Sequence, residues 1–290
     1  MSRIYLTGLD EKYFFLGLTL IQSLERYVPR TSIAILNFGL LSAQKSFFDQ
    51  LGLLVFEPPP DLKGAHPYTL KAHINRFQGI DVFAAYSLVL LDADMFACGN
   101  FVETLDEVIE DMNKQRAPIA CSADMGTAEG ALDFFDKFRC LKARAAATGC
   151  ANLRYLNIGL CVFSPDFDWS VFARLANHFE PETCWEQNAI NVLRLRGDLT
   201  TLVLDSKVWN FHGSLLADWS QSLLRAYFVH LTSPYVNTVQ EGILNLEYKD
   251  KDFKFFYRLG VRPDVAALQR ELIRNTFESY DSEFLSYATK

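Results

Sequence analysis

The fold of this chain turns on Tyr86 to Phe96, "YSLVLLDADMF". An apolar run of Val and Leu reads as a buried strand, and it stops in two aspartates with one residue between them. In an extended chain residues i and i+2 point to the same side, so Asp92 and Asp94 project together while Ala93 faces the other way. Two carboxylates held that close repel unless a positive charge lies between them. A hard divalent cation, Mn2+ or Mg2+, does this well and keeps open positions that phosphate oxygens can fill. The plainer reading of the same residues is a turn capped by Asp92, with Asp94 in solvent.

Working outward, this strand belongs to a series. "RIYLTGL" (3–9), "TSIAILNF" (31–38) and "LLVFE" (53–57) read as strands before it. Helical patterns separate them: "EKYFFLGLTLIQSLERYV" (11–28), "SAQKSFFDQLG" (42–52, with Ser42 as N-cap) and "PYTLKAHINRF" (67–77). Downstream, strands "APIACSAD" (117–124), "RYLNIGLCVFSPD" (154–166), "TTLVLDSKVWNF" (200–211) and "AYFVHLTSP" (226–234) alternate with helices over 101–114, 131–147, 169–179 and 184–195. Near-continuous apolar strands alternating with helices predict an α/β fold, its mostly parallel central sheet flanked by helices. In such sheets ligands bind beyond the carboxyl ends of the strands, where the aspartate pair lies. The expected organisation is one domain over 1–236 and a helical C-terminal extension over 237–290 packed on it.

Composition narrows the function classes. The 290 residues are 50% apolar and 22% charged, with a net charge of −7. No basic face is implied, which argues against nucleic acid as a partner. Six cysteines are scattered without a C-x-x-C pair, unlike a zinc ribbon or a secreted disulfide framework. Reduced thiols, no signal-peptide pattern at the N-terminus and no apolar run long enough to span a bilayer give the expectation of a cytoplasmic protein. "KDKDFKFFYRLGVRP" (249–263) mixes Lys and Arg with Phe and Tyr. It reads either as an element packed on the domain or as a segment docking on the inner face of a membrane.

Taken in order, "PYTLKAHIN", "VLLDADMF", "YLNIGLCVF", "WEQNAINVL", "KVWNF" and "HLTSP" resemble the GT-A glycosyltransferases, above all the glycogenin and lipopolysaccharide galactosyltransferase group called family 8. The likeness runs from Thr7 to about Pro234 and leaves the tail uncovered. It implies a metal-dependent transfer of sugar from a nucleotide-sugar, most simply a UDP-sugar, to a hydroxyl acceptor such as a glycan or a lipid-linked glycan. Asp92 and Asp94 match the family's metal aspartates, and His230 matches its third metal ligand. Thr7, Asp10 and Tyr13 match the nucleotide pocket. Lys71, Ala93 and Gly159 match positions beside the donor. Asn157 matches a sugar contact, and Glu186 and Gln187 stand where the family usually has Asp-Gln facing the reacting sugar. Two features depart from the pattern: Glu replaces Asp at 186, and Thr232 and Ser233 follow the histidine where the family has a glycine and then a lysine on the diphosphate.

Several of these residues also have a structural reading. Thr7 and Asp10 suit helix capping, while Lys71 and Glu186 suit solvated helix faces. A degenerate domain that binds nucleotide-sugar without turnover fits the departures. A haloacid-dehalogenase-like phosphatase also places Asp-x-Asp after an apolar strand, although there the motif sits on an early strand followed by Gly-Thr rather than Met95 and Phe96.

Overall fold

The computed structural model describes residues 2–124, 154–178, 185–217, 223–232 and 238–287. The expected helix over 131–147 lies outside them, as do Ser233, Cys140, Cys150 and Cys184. The first half alternates as predicted: β1 (Arg3–Asp10), α1 (Phe14–Leu24), β2 (Ile33–Gly39), α2 (Ser42–Gln50), β3 (Leu54–Phe56), α3 (Pro67–Ala72), β4 (Ser87–Leu91). Then come β5 (Met95–Ala97), α4 (Val102–Gln115), β6 (Ile119–Ala123), β7 (Leu156–Phe163), α5 (Trp169–His178), α6 (Trp185–Arg196), β8 (Thr201–Leu204) and β9 (Phe228–His230). The chain closes with β10 (Val239–Tyr248), β11 (Lys251–Gly260), α7 (Pro263–Ser279) and α8 (Asp281–Tyr287).

Among the described residues the central sheet has seven strands in the order β3-β2-β1-β4-β7-β6-β8. Strands β3, β2, β1 and β4 run parallel, β7 runs antiparallel to both its neighbours, and β8 is parallel to β6. The chain order reverses between β1 and β4, so a crevice opens beyond their carboxyl ends. Each strand feeds two cores. In β4, Val89 and Leu91 face the layer built on α1 and α4, while Leu88 and Leu90 face the layer of α3, α5 and α6. Burial on both faces is why these strands lack a polar alternation.

Some local expectations are corrected. Ser42 is the first residue of α2, not its cap; the Leu41 N–H donates instead to Gln44 Oε1 at 2.9 Å. The strand expected over 200–211 stops at Leu204, because Asp205 accepts from the Lys207 N–H and starts a helical turn, Ser206–Trp209. The sequence reading had no strand at β5. It pairs antiparallel with β9 outside the main sheet, Met95 opposite His230.

The tail is the largest correction. It was expected to be helical throughout, but it begins with the β10–β11 hairpin, and only the residues from Pro263 on are helical. The pattern in β11 has period two. Phe253, Phe255 and Tyr257 are buried, while Lys254, Phe256 and Arg258 look outward. The inward aromatics lie against α1, with Phe15 and Phe255 stacked at a centroid distance of 4.3 Å. Phe277 and Phe284 close the same cluster at 4.5 Å. This cover explains how every residue of α1 can be buried. Three of the four aromatics in the segment that also read as membrane-docking, Phe253, Phe255 and Tyr257, are therefore core. No helix among the described residues is long and apolar enough to cross a membrane. Gln269 of α7 fixes the end of the hairpin: its amide accepts from the Gly260 N–H at 2.8 Å and donates to the Arg258 carbonyl at 3.0 Å.

Candidate functional site

β4 ends at Leu91, and the backbone turns at once: the Met95 N–H donates to the Asp92 carbonyl at 3.1 Å. Asp92 and Asp94 do converge, but through this turn rather than through strand alternation, and Ala93 lines the same cleft as they do. The register of β5 on β9 brings in the third group, and the Leu231 N–H donates to the Asp94 carbonyl at 2.9 Å. His230 Nε2 lies 3.3 Å from Asp94 Oδ1 and 3.7 Å from Asp92 Oδ2. One ligand atom from each residue falls within 4.8 Å of the others. Two carboxylates and an imidazole form a donor set that fits a hard or borderline divalent cation.

The far oxygen of each carboxylate is held by a cation. Lys71 Nζ is 2.6 Å from Asp92 Oδ1, and Arg258 Nη1 is 2.5 Å from Asp94 Oδ2. Burial alone would raise the Asp94 carboxyl, yet His230, when it is protonated, and Arg258 outweigh it and hold Asp94 well below the usual carboxylate range. Burial would likewise depress Lys71, but Asp92 and Glu186 prevail and keep it charged.

These groups stand at one end of a cleft of about 460 Å3. Asp10, Tyr13, Phe38 and Tyr68 line it beyond the carboxyl end of β1. The Asp10 carboxylate accepts from the Tyr13 N–H at 2.8 Å, so it tethers the start of α1 and still reaches the cleft. Arg258 spans the two ends, touching Asp94 and lying 5.7 Å from the Tyr13 ring centroid.

No family model matches the sequence, and no curated protein matches it either. Solved structures do. The bifunctional glycosyltransferase WbbM superposes with a TM-score of 0.55 at 15% identity, over 79% of this chain and 45% of that one. The glycosyltransferase GlyE of Streptococcus pneumoniae TIGR4 superposes with a TM-score of 0.53 at 12% identity, over 99% of this chain and 63% of that one. This chain has the GT-A fold. It spans less than two thirds of the length of either protein. The GlyE match extends the likeness into the C-terminal hairpin and helices, which the sequence resemblance had left uncovered.

Within the GT-A fold the remaining predicted residues divide. Thr7 is buried, and its hydroxyl has no partner among the described residues. Lys71 and Glu186 are not solvated helix residues: Glu186 is 2% exposed and its Oε1 lies 3.7 Å from Lys71 Nζ, with Asp92 on the other side of the lysine. Gln187 Oε1 accepts from the Ile158 N–H at 3.1 Å. Asn191, one turn on, exchanges hydrogen bonds with the N–H and carbonyl of Leu156. The polar face of α6 is thus spent in fixing that helix to β7. Asn157 Oδ1 accepts from the Gly159 N–H at 2.8 Å and from Asn210 at 2.9 Å. Gly159 leaves room, but for the His230 ring and not for a ligand: a Cβ built there falls 2.6 Å from His230 Nδ1. Arg258 and Asn210 were missed. Asn210 sits inside the "KVWNF" landmark, and the strand period of β11 marks Arg258 as outward-facing.

Glu186 gives a pH prediction. Burial, against the pull of Lys71, raises its carboxyl from 4.5 to about 7. A raised acid contributes stability that is full below its unfolded value and lost as pH climbs through the folded one. Between pH 4.5 and about 7 the metal-free protein is expected to lose roughly 3 kcal/mol from this group. Glu186→Gln should remove that slope. Urea unfolding at pH 5 and pH 8 checks it, and equal slopes in both proteins would defeat the assignment.

Proposed function

We propose that this chain is a metal-dependent glycosyltransferase that moves a sugar from a nucleotide-sugar to a hydroxyl acceptor. One observation carries the reading. Asp92, Asp94 and His230, from two distant parts of the sequence, meet at the crevice between β1 and β4. A divalent cation held there offsets the negative charge that builds on a departing diphosphate. The protein's own residues supply the rest. Tyr13 offers a ring face and Asp10 a carboxylate to a nucleoside, which suits a uridine diphosphate donor. Lys71 and Arg258 hold the carboxylates in place and keep positive charge beside the diphosphate path. WbbM and GlyE, by their names glycosyltransferases, support the class of reaction. A glycan, free or lipid-linked, is the acceptor proposed, and the cytoplasm the compartment.

A second reading has its own observation. Gln187 and Asn157 spend their amide oxygens on the protein itself, and Glu186 is buried behind Lys71. That arrangement favours a domain that binds the nucleotide-sugar without turnover. Calorimetric titration of UDP and of GDP, with Mn2+ and with chelator, tests both. UDP binding that requires Mn2+ is expected, followed by release of UDP from a UDP-sugar. Binding without release selects the second reading, and no metal-dependent binding of either nucleotide defeats both.

A further inference from the structure

We propose that Asn157 and Asn210 are positioning residues: with the Gly159 N–H they form a relay that fixes His230 as its Nδ1–H tautomer and points a bare Nε2 at Asp92 and Asp94. The polarity of the relay follows from its first member. A backbone N–H can only donate, so the Asn157 atom 2.8 Å from Gly159 N is the amide oxygen. That same oxygen lies 2.9 Å from the Asn210 amide, which must therefore present its NH2 group. The Asn210 oxygen is then left for His230 Nδ1, 3.0 Å away. An oxygen needs an N–H opposite it, so the single proton of a neutral imidazole goes to Nδ1. Amide and imidazole orientations are ordinarily ambiguous, but here the fixed donor removes the choice. Asn210 is 0% exposed and His230 3%, so solvent does not compete for the hydrogen bonds of the relay.

The consequence lies on the other side of the ring. Nε2 faces Asp94 Oδ1 at 3.3 Å and Asp92 Oδ2 at 3.7 Å. Were the proton on Nε2, it would donate to Asp94 and occupy the space between the three groups. The relay and Asp94 compete for that proton, and the relay has an acceptor of fixed orientation with which to hold it. The space between the three acceptors is thereby kept for a cation. Hydrogen-bonded partners that orient a ligating histidine typically change metal affinity by about 10- to 100-fold when removed. The tautomer assignment stands on the geometry alone; its effect on metal rests on the function proposed above.

The test is two-bond 15N–1H correlation on metal-free protein at a pH where His230 is neutral, with the signal assigned by its loss in His230→Asn. The wild type is expected to show His230 protonated at Nδ1. Asn210→Leu is expected to move the proton toward Nε2 and to weaken Mn2+ binding, measured without nucleotide, by about tenfold or more. Asn157→Ala leaves the ring's own partner in place but frees the Asn210 amide to reverse. It should give a mixed tautomer and an intermediate Mn2+ affinity, and it serves if Asn210→Leu fails to fold. An Nε2–H signal in the wild type overturns the proposal, as do an unchanged tautomer and Mn2+ affinity in both variants. If the wild type shows Nδ1–H but binds no Mn2+, the relay stands and the metal reading falls.

Discussion

Asp92→Asn is expected to lower Mn2+-dependent release of UDP from a UDP-sugar by at least about 10^3-fold, equivalent to roughly 4 kcal/mol of transition-state stabilisation. The substitution keeps the size of the side chain and removes its charge. It takes one of the two carboxylates from the group within 4.8 Å of His230. It also takes from Lys71 its contact at 2.6 Å, and a buried lysine left without a counter-ion costs several kcal/mol. Here a replacement is at hand. Glu186 stands on the other side of the lysine, and Asp92 is one of the groups that raise its carboxyl. With Asp92 neutral, Glu186 ionises more readily and takes over as the counter-ion. The variant should therefore remain folded at pH 8 while losing turnover. Turnover within tenfold of wild type would remove Asp92 from the metal site. Loss of the fold would show that Glu186 does not substitute.

Gly159→Ala is expected to weaken Mn2+ binding by about 10- to 100-fold and to destabilise the protein by about 1–3 kcal/mol. The added methyl would sit 2.6 Å from His230 Nδ1 and 2.9 Å from Asn157 Oδ1, distances that real contacts do not tolerate. Neither neighbour is a loose side-chain end. The ring is buried and bonded to Asn210, and Asn157 is bonded to two donors. The ring must move, and Nε2 moves with it away from the carboxylates. Calorimetry with Mn2+ and thermal unfolding read the two effects separately. Wild-type Mn2+ affinity in this variant would show that the ring is not held where metal binds.

Much of this architecture was legible in the sequence because burial writes itself into composition. β1, β2 and β4 are buried on both faces, and their short apolar runs between helical patterns fit a covered parallel sheet. The pairing of Asp92 with Asp94 was legible too, although a turn and not strand alternation brings them together. What could not be read locally was contact across long separations. Whether Lys71 and Glu186 are solvated or buried depends on α3 and α6 meeting over β7, which no window of sequence encodes. Gly159 matched a position beside the donor, but a glycine shows only that space is needed, not what fills it. The tail failed for a different reason. Charged residues in "KDKDFKFFYR" drew attention to its composition, while its alternation of buried and exposed positions was the informative signal.

Arg258 gives the cleft an order in time. Asp94 and its guanidinium partner lie 164 positions apart. At about 5–20 residues per second, roughly 8–33 s of synthesis separate the two on the ribosome. Through that interval β1 and β4 can already pair, but the two carboxylates wait first for His230 and then for the hairpin. A nascent chain stalled in this window carries the crevice without its last wall. On the function proposed above, the path for a diphosphate is therefore complete only once β11 has docked on α1.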